Sequence, residues 1–184
     1  MTAAAQADLA SLVFGLVRDV PDFPEPGIVF KDISPLLADH RAFSAVVDAL
    51  ASVGRDSTGA AVVDKVAGVE ARGFILAAPV ALALGAGLVP VRKAGKLPGA
   101  VYSQSCVLEY GEAVLEIHQD AFAPGDRVLL VDDVLATGGT LEASAELVRR
   151  SGAVVHAIAV LIELGFLGGA ERVAGHSLSA LLRV

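Results

Sequence analysis

Apolar residues at 9, 12, 13, 16 and 17 recur at three- and four-residue spacing, which predicts an amphipathic helix over residues 8–18. Pro21, Pro24 and Pro26 then exclude regular helix from 19–27 and predict a stiff extended loop. Residues 28–33 read as extended. Helical spacing returns through Phe43, Val46, Val47 and Leu50, over 41–53. The apolar runs 60–63, 88–91, 128–131 and 154–162 predict buried strands. In 113–118, Val114, Glu116 and His118 alternate with Leu115 and Ile117, the pattern of a half-exposed strand. A helix is expected over 74–84, after the turn Glu70-Ala71-Arg72-Gly73. Another follows Gly139 as far as Ser151-Gly152, with Leu141, Ala145 and Val148 on one face. Residues 94–110 lack buried-strand signals and read as a long functional loop. Residues 163–184 have no pattern that assigns them. Strand, helix, strand at this spacing predicts an α/β fold with a mostly parallel central sheet flanked by helices.

Composition narrows this picture. The 184 residues fit one domain, 1–184, and a core of Ala, Val and Leu, since 54% of them are apolar and only 5% aromatic. A net charge of -7 argues against a nucleic-acid partner but permits a small anionic substrate. The single cysteine, Cys106, excludes an intrachain disulfide and a multi-cysteine zinc site, which suits a cytoplasmic protein. Residues 1–7 lack the order of a secretion signal. Residues 73–91 carry no charge, yet Pro79, Pro90, Gly85 and Gly87 interrupt them and Arg92-Lys93 follow. A buried helix turning into a strand is expected there, not a membrane span.

The densest chemistry lies in 127–140. An apolar strand runs into Asp132-Asp133, followed by Ala136-Thr137-Gly138-Gly139-Thr140 and a helical pattern. A tight turn at a helix N-terminus exposes unpaired N–H groups and makes an anion site. The glycines allow close backbone approach, and the threonine hydroxyls add donors. Two carboxylates beside a phosphate would repel it. A sugar phosphate resolves the conflict, because carboxylates accept hydrogen bonds from vicinal hydroxyls while the turn holds the phosphate; a metal ion would lower the cost further. The alternative is a capped strand–turn–helix with two surface acids. Neither of the common glycine-rich nucleotide loops is present. Arg72, Arg92-Lys93 and Asp132-Asp133 are all expected just past strand carboxyl ends, where ligands sit in open parallel sheets. They are therefore expected to form one site.

Val128-Leu129-Leu130-Val131-Asp132-Asp133-Val134-Leu135-Ala136-Thr137-Gly138-Gly139-Thr140 resembles the 5-phosphoribosyl-1-pyrophosphate loop of the type I phosphoribosyltransferases. Four further motifs resemble the adenine-specific branch: Phe23-Pro24-Glu25-Pro26-Gly27-Ile28-Val29-Phe30-Lys31-Asp32-Ile33-Ser34-Pro35, Glu70-Ala71-Arg72-Gly73-Phe74, Arg92-Lys93-Ala94-Gly95-Lys96-Leu97-Pro98-Gly99 and Leu108-Glu109-Tyr110-Gly111. The resemblance implies the type I phosphoribosyltransferase fold, with a small hood contributed by about 20–35 and 163–184. It implies transfer of the phosphoribosyl group to N9 of adenine, giving AMP and pyrophosphate in purine salvage.

By the same resemblance, Ala136, Thr137, Gly138, Gly139 and Thr140 would hold the 5-phosphate, and Asp132 and Asp133 the ribose. Ala71, Arg72, Gly73, Arg92, Lys93 and Lys96 would serve the pyrophosphate, Arg92 reaching into a neighbouring subunit of a homodimer. Val29, Phe30, Lys31 and Leu164 would bind adenine. Glu109 would be the general acid–base on a flexible loop packed by Tyr110. Magnesium would be held mainly through substrate and water, and the family often has a cis peptide in the turn matching Glu70-Ala71, which sequence alone does not decide. The family often has tyrosine two residues before the loop leucine, where this chain has Cys106; retuned kinetics are the expected result. Two rivals stay open: a same-fold enzyme for a 6-oxopurine or orotate, and a ligand-responsive regulator.

Overall fold

The computed structural model describes residues 3–107 and 111–184. Helix α1 (Ala3–Leu16) leads into a hairpin of β1 (Arg18–Pro21) and β2 (Val29–Asp32), antiparallel and separate from the main sheet. Two ion pairs cross it, Arg18–Asp32 at 2.8 Å and Lys31–Asp19 at 2.6 Å. Next come α2 (Ser34–Ala38), α3 (His40–Ser52), β3 (Lys65–Val69), α4 (Arg72–Leu84), β4 (Gly87–Lys93), β5 (Val101–Val107) and β6 (Glu112–His118). The chain continues through β7 (Arg127–Leu135), α5 (Gly139–Arg150), β8 (Val154–Glu163), a 3-10 turn (Gly165–Leu167), α6 (Gly169–Arg172) and β9 (Leu178–Arg183).

The main sheet has the order β5-β6-β4-β3-β7-β8-β9. Strands β4, β3, β7, β8 and β9 run parallel, while β6 is antiparallel to β4 and β5. The expected mostly parallel sheet is therefore present. Central β7 is buried on both faces, so it reads as a continuous apolar run rather than an alternation. Leu129 and Val131 face the core shared with α1, α3 and α4, whereas Val128 and Leu130 face the core beneath α5. Helix α4 lies close on β3: a Cβ on Gly68 would come 2.5 Å from Ala77 Cβ. No helix among the described residues is long and apolar enough to cross a membrane.

Several expected elements are corrected. Residues 60–63 form no strand; Ala61 makes an isolated bridge to Arg55, and the strand begins at Lys65. The apolar signal arose because Val63 is buried against the α3–α4 core, not because the segment pairs in the sheet. Residues 94–110 are not one long loop, since β5 pairs antiparallel with β6 from Val101↔His118 to Val107↔Glu112. Strand β5 lies at the sheet edge and buries Cys106 while Ser103 and Ser105 face solvent, so no apolar run marks it. The stretch 19–27 is partly strand through β1, with a cis peptide at Phe23-Pro24. Helix α2, with Pro35 in its first turn, precedes the expected 41–53 helix, whose N-terminus Asp39 caps through Ala42 N–H at 2.8 Å. The unassigned tail supplies β9, parallel to β8.

Candidate active site

Strands β3 and β7 are parallel neighbours at the centre of the sheet, yet their crossovers diverge. From β3 the chain passes through α4 to β4 on one side, and from β7 through α5 to β8 on the other. This is the switch point at which an open α/β sheet leaves a crevice beyond its carboxyl ends. A cleft of about 350 Å³ lies there, lined by Phe30, Glu70, Ala71, Arg72, Lys93, Ala113, Leu115, Asp132, Asp133 and Thr140.

The two aspartates are within β7 and Arg92-Lys93 are the last residues of β4, not past the strand ends as expected; only Arg72 lies beyond its strand, β3. Pairing with β3 stops at Gly68↔Val131, whereas pairing with β8 continues to Leu135↔Glu163. The acids thus occupy a strand held on one side and open to the crevice on the other. Both are buried. Asp132 Oδ1 accepts the Asp133 N–H at 2.9 Å. Asp133 Oδ2 lies 2.6 Å from Arg72 Nε, but the N–H is not directed at it, so this oxygen is buried without a hydrogen-bond donor among the described residues. Burial first, then the neighbouring Asp133 charge, pushes the Asp132 carboxyl well above the usual carboxylate range. Gly73 leaves room for this arrangement, because a Cβ there would come 2.8 Å from Asp132 Oδ1.

Residues 136–138 carry the chain from β7 into α5, with Gly138 at φ +81° and no side chain capping the helix. The first-turn amides are therefore available to an anion beside Asp132 and Asp133. Thr140, in the same turn, lines the cleft.

On the β3–β4 side, the parallel register sets Val69 opposite Val91 and so brings Glu70 to Arg92-Lys93. Glu70 gathers the basic groups: Lys96 Nζ at 2.8 Å, Lys93 N–H at 2.9 Å and Arg92 Nε at 3.0 Å. Burial alone would raise its carboxyl, but the Lys96 ammonium, the Lys93 amide and the Arg92 guanidinium outweigh it and hold the pKa at about 2. The Glu70-Ala71 peptide is cis. Across the cleft, the Arg72 guanidinium sits 4.4 Å from the Phe30 ring centroid and donates to the Lys31 carbonyl at 3.3 Å. Phe23 meets Phe30 edge-on at 5.1 Å.

Residues 36–172 match the family model described as phosphoribosyl transferase domain. A curated adenine phosphoribosyltransferase from a Nocardioides species is 67% identical over 174 residues, covering 95% of this chain and 94% of the relative. This chain belongs to the adenine phosphoribosyltransferase family. The crystal structure of the Rhodothermus marinus adenine phosphoribosyltransferase superposes with a TM-score of 0.89 at 45% identity, covering 97% of this chain and 99% of that one. The Saccharomyces cerevisiae enzyme, solved with adenine and an imino-altritol bisphosphate, gives a TM-score of 0.89 at 36% identity, covering 96% and 99%.

Against the residues expected of an adenine phosphoribosyltransferase, the structure gathers Phe30, Ala71, Arg72, Lys93, Asp132, Asp133 and Thr140 around one cleft. Ala136, Thr137, Gly138 and Gly139 lie beside them in the turn. Arg92 and Lys96 are held at the edge by Glu70, and Gly73 packs beneath Asp132. Arg72 is turned towards Asp133 and Phe30 rather than joining the Arg92–Lys96 cluster. Val29 is 48% exposed on β2, Lys31 is paired to Asp19, and buried Leu164 follows β8; these three side chains are not part of the main cleft lining. Glu109 and Tyr110 lie outside the described residues. In the sequence, Glu70 stands only as part of a turn motif. Its sequence signal was a lone acid set among Arg72, Arg92, Lys93 and Lys96, with its partners far along the chain.

Proposed function

We propose that this chain transfers the 5-phosphoribosyl group from 5-phosphoribosyl-1-pyrophosphate to N9 of adenine, releasing AMP and pyrophosphate in purine salvage. The single observation that carries the reading is the buried Asp132–Asp133 pair beside an uncapped helix N-terminus, with Asp133 Oδ2 ion-paired to Arg72 but receiving no directed hydrogen bond among the described residues. A ribose diol supplies that hydrogen bond, and the 5-phosphate of the same molecule reaches the amides of 136–140. At C1, pyrophosphate leaves and the adenine nitrogen enters through an oxocarbenium-like transition state. Asp132 and Asp133 offset the positive charge on the ribosyl group. Lys93, Lys96 and the amides of 71–73, joined by Arg92 of the partner subunit, receive the negative charge on the leaving group.

The base reads against Val29, Phe30 and Lys31. The Lys31 carbonyl accepts an N–H from Arg72 and keeps a second lone pair, which would accept from a 6-amino group and repel a 6-oxo group. Leu164 covers the other face, and Glu109 moves the proton at the purine nitrogens. The hairpin of β1 and β2, with about 163–184, forms the hood over this end. Magnesium fits the donor set. Asp132 and Asp133 offer the hard oxygen atoms that magnesium prefers, and the ion would be held mainly by substrate oxygens and water. When bound, it neutralises charge on the departing pyrophosphate. The enzyme acts as a cytoplasmic homodimer, in which Arg92 reaches the neighbouring site.

The test is incubation of purified protein with magnesium, the phosphoribosyl donor and each purine base in turn, followed by separation of the nucleotides. AMP from adenine alone is the expected result. IMP or GMP in its place would overturn the base assignment while leaving the donor site, and no nucleotide from any base would overturn the activity.

A further inference from the structure

We propose that the segment following β8 is a positioning element for the phosphate turn, with Gly169 placing the Ala136 peptide and Arg172 fastening α6 to the first turn of α5. The proposal rests on reading 136–140 as the 5-phosphate cradle. It begins with two glycines that face each other. A Cβ on Gly169 would overlap the Ala136 carbonyl oxygen and come 2.8 Å from Leu135 Cδ1. A Cβ on Gly138 would come 2.7 Å from the Gly169 carbonyl oxygen and 3.1 Å from Arg172 Cβ. The two backbones are thus in contact in both directions, with no side chain between them.

Conformation does not explain the glycine at 169. Gly168 and Gly138 have φ of +69° and +81°, where glycine is favoured, but Gly169 has no such angle. Glycine is needed at 169 for space. The consequence falls on the turn, because the carbonyl and N–H of one trans peptide point in opposite directions. With the Ala136 carbonyl set against Gly169, the Thr137 N–H is directed away from α6. The turn has no side-chain cap to set its amides, so this contact does so.

Arg172 secures the contact from the side. Its Nε donates to Glu142 Oε2 at 2.6 Å, joining α6 to the first turn of α5. Glu142 N–H in turn donates to the Gly138 carbonyl at 2.9 Å. A chain of contacts therefore runs from Arg172 through Glu142 to Gly138, and from Gly169 to Ala136. Arg172 and Gly169 act through the turn and not on the substrate.

The experiment compares Gly169→Ala, Arg172→Ala and Arg172→Lys in the full chain, varying the phosphoribosyl donor and adenine separately and measuring ribose 5-phosphate binding by calorimetry. Gly169→Ala is expected to raise the donor KM at least tenfold while the adenine KM stays within about twofold. Arg172→Ala is expected to raise it three- to tenfold, with Arg172→Lys within about twofold of the parent. Ribose 5-phosphate affinity should fall in parallel. If Gly169→Ala does not fold, the Arg172 pair decides. A donor KM unchanged by Arg172→Ala, or a rise shared equally by both substrates, would overturn the positioning role. A parent protein that neither transfers the phosphoribosyl group nor binds ribose 5-phosphate would overturn the cradle and this inference together; normal parent activity with indifferent variants would overturn this inference alone.

Discussion

Asp132 is a buried carboxyl at the cleft and Glu70 a partly buried one, and their surroundings drive them in opposite directions. Asp132 has a carboxylate neighbour and little solvent, so its folded pKa rises above the ordinary 3.8. The folded protein then binds more protons than the unfolded chain, and stability falls as pH rises from about 3.8 towards the folded value. Asp132→Asn should therefore melt higher than the parent at neutral pH without ligand, yet turn over at least a hundredfold more slowly. Calorimetry and steady-state kinetics on the same preparation check both halves. Glu70 is surrounded by basic groups and keeps its charge. Glu70→Gln leaves Arg92 and Lys96 without their counter-charge and gives up one of the two acceptor oxygens that they share with the Lys93 amide; an approximately tenfold rise in donor KM is expected, about 1.4 kcal/mol. An unchanged KM in a kinetic titration would show that those groups need no template. Asp132 was legible because it stands in a local run of acid, small and hydroxyl residues. The Glu70 cluster was not, because it depends on the register Val69↔Val91 between separate strands.

At the scale of elements, what could be read depended on how each one is buried. Strands β7 and β8 carry the apolar runs 128–131 and 157–162 because both faces there are buried, and α5 shows its period because one face meets the sheet. Strand β5 packs one face at the sheet edge, so Ser103, Gln104 and Ser105 concealed it. Strand β3 was displaced in the sequence reading because Val63 lends its apolar character to the helices instead. Gly68 also weakens the strand pattern, yet it is what allows α4 to lie on β3. Gly68→Ala forces these elements apart and should cost about 1–3 kcal/mol, measurable as a lower midpoint in urea at constant slope.

For the whole molecule, acid should be the sharper challenge. Glu70 and Asp64 are both held at about 2; for Asp64, the hydrogen bonds from the Arg127 side chain and then its backbone N–H are the leading causes. A carboxyl depressed in the folded state contributes stability above its unfolded value and loses it as pH falls through the folded one. The thermal midpoint is expected to fall as pH drops from about 4.5 to 2, the interval between the ordinary Glu value and the depressed ones. A midpoint independent of pH across that interval would show these pairs to be energetically silent. The parallel sheet and its helices were legible from alternating apolar segments, but β1 and β9 were not, since β1 has four residues and runs into the proline-rich loop and β9 is a short strand in a small, mixed tail.

The adjacency of β3 and β7 has a mechanical consequence. Groups proposed for the leaving group hang from β3 and β4, while those proposed for the sugar and its phosphate hang from β7 and α5. A bound donor spans the seam between the two halves of the sheet and acts as a removable rivet. Amide exchange along β3 and the 128–131 part of β7 should slow when the donor binds, even though those residues lie outside the proposed contacts. A substrate consumed at every turnover would thus also regulate how tightly the enzyme's own centre is closed.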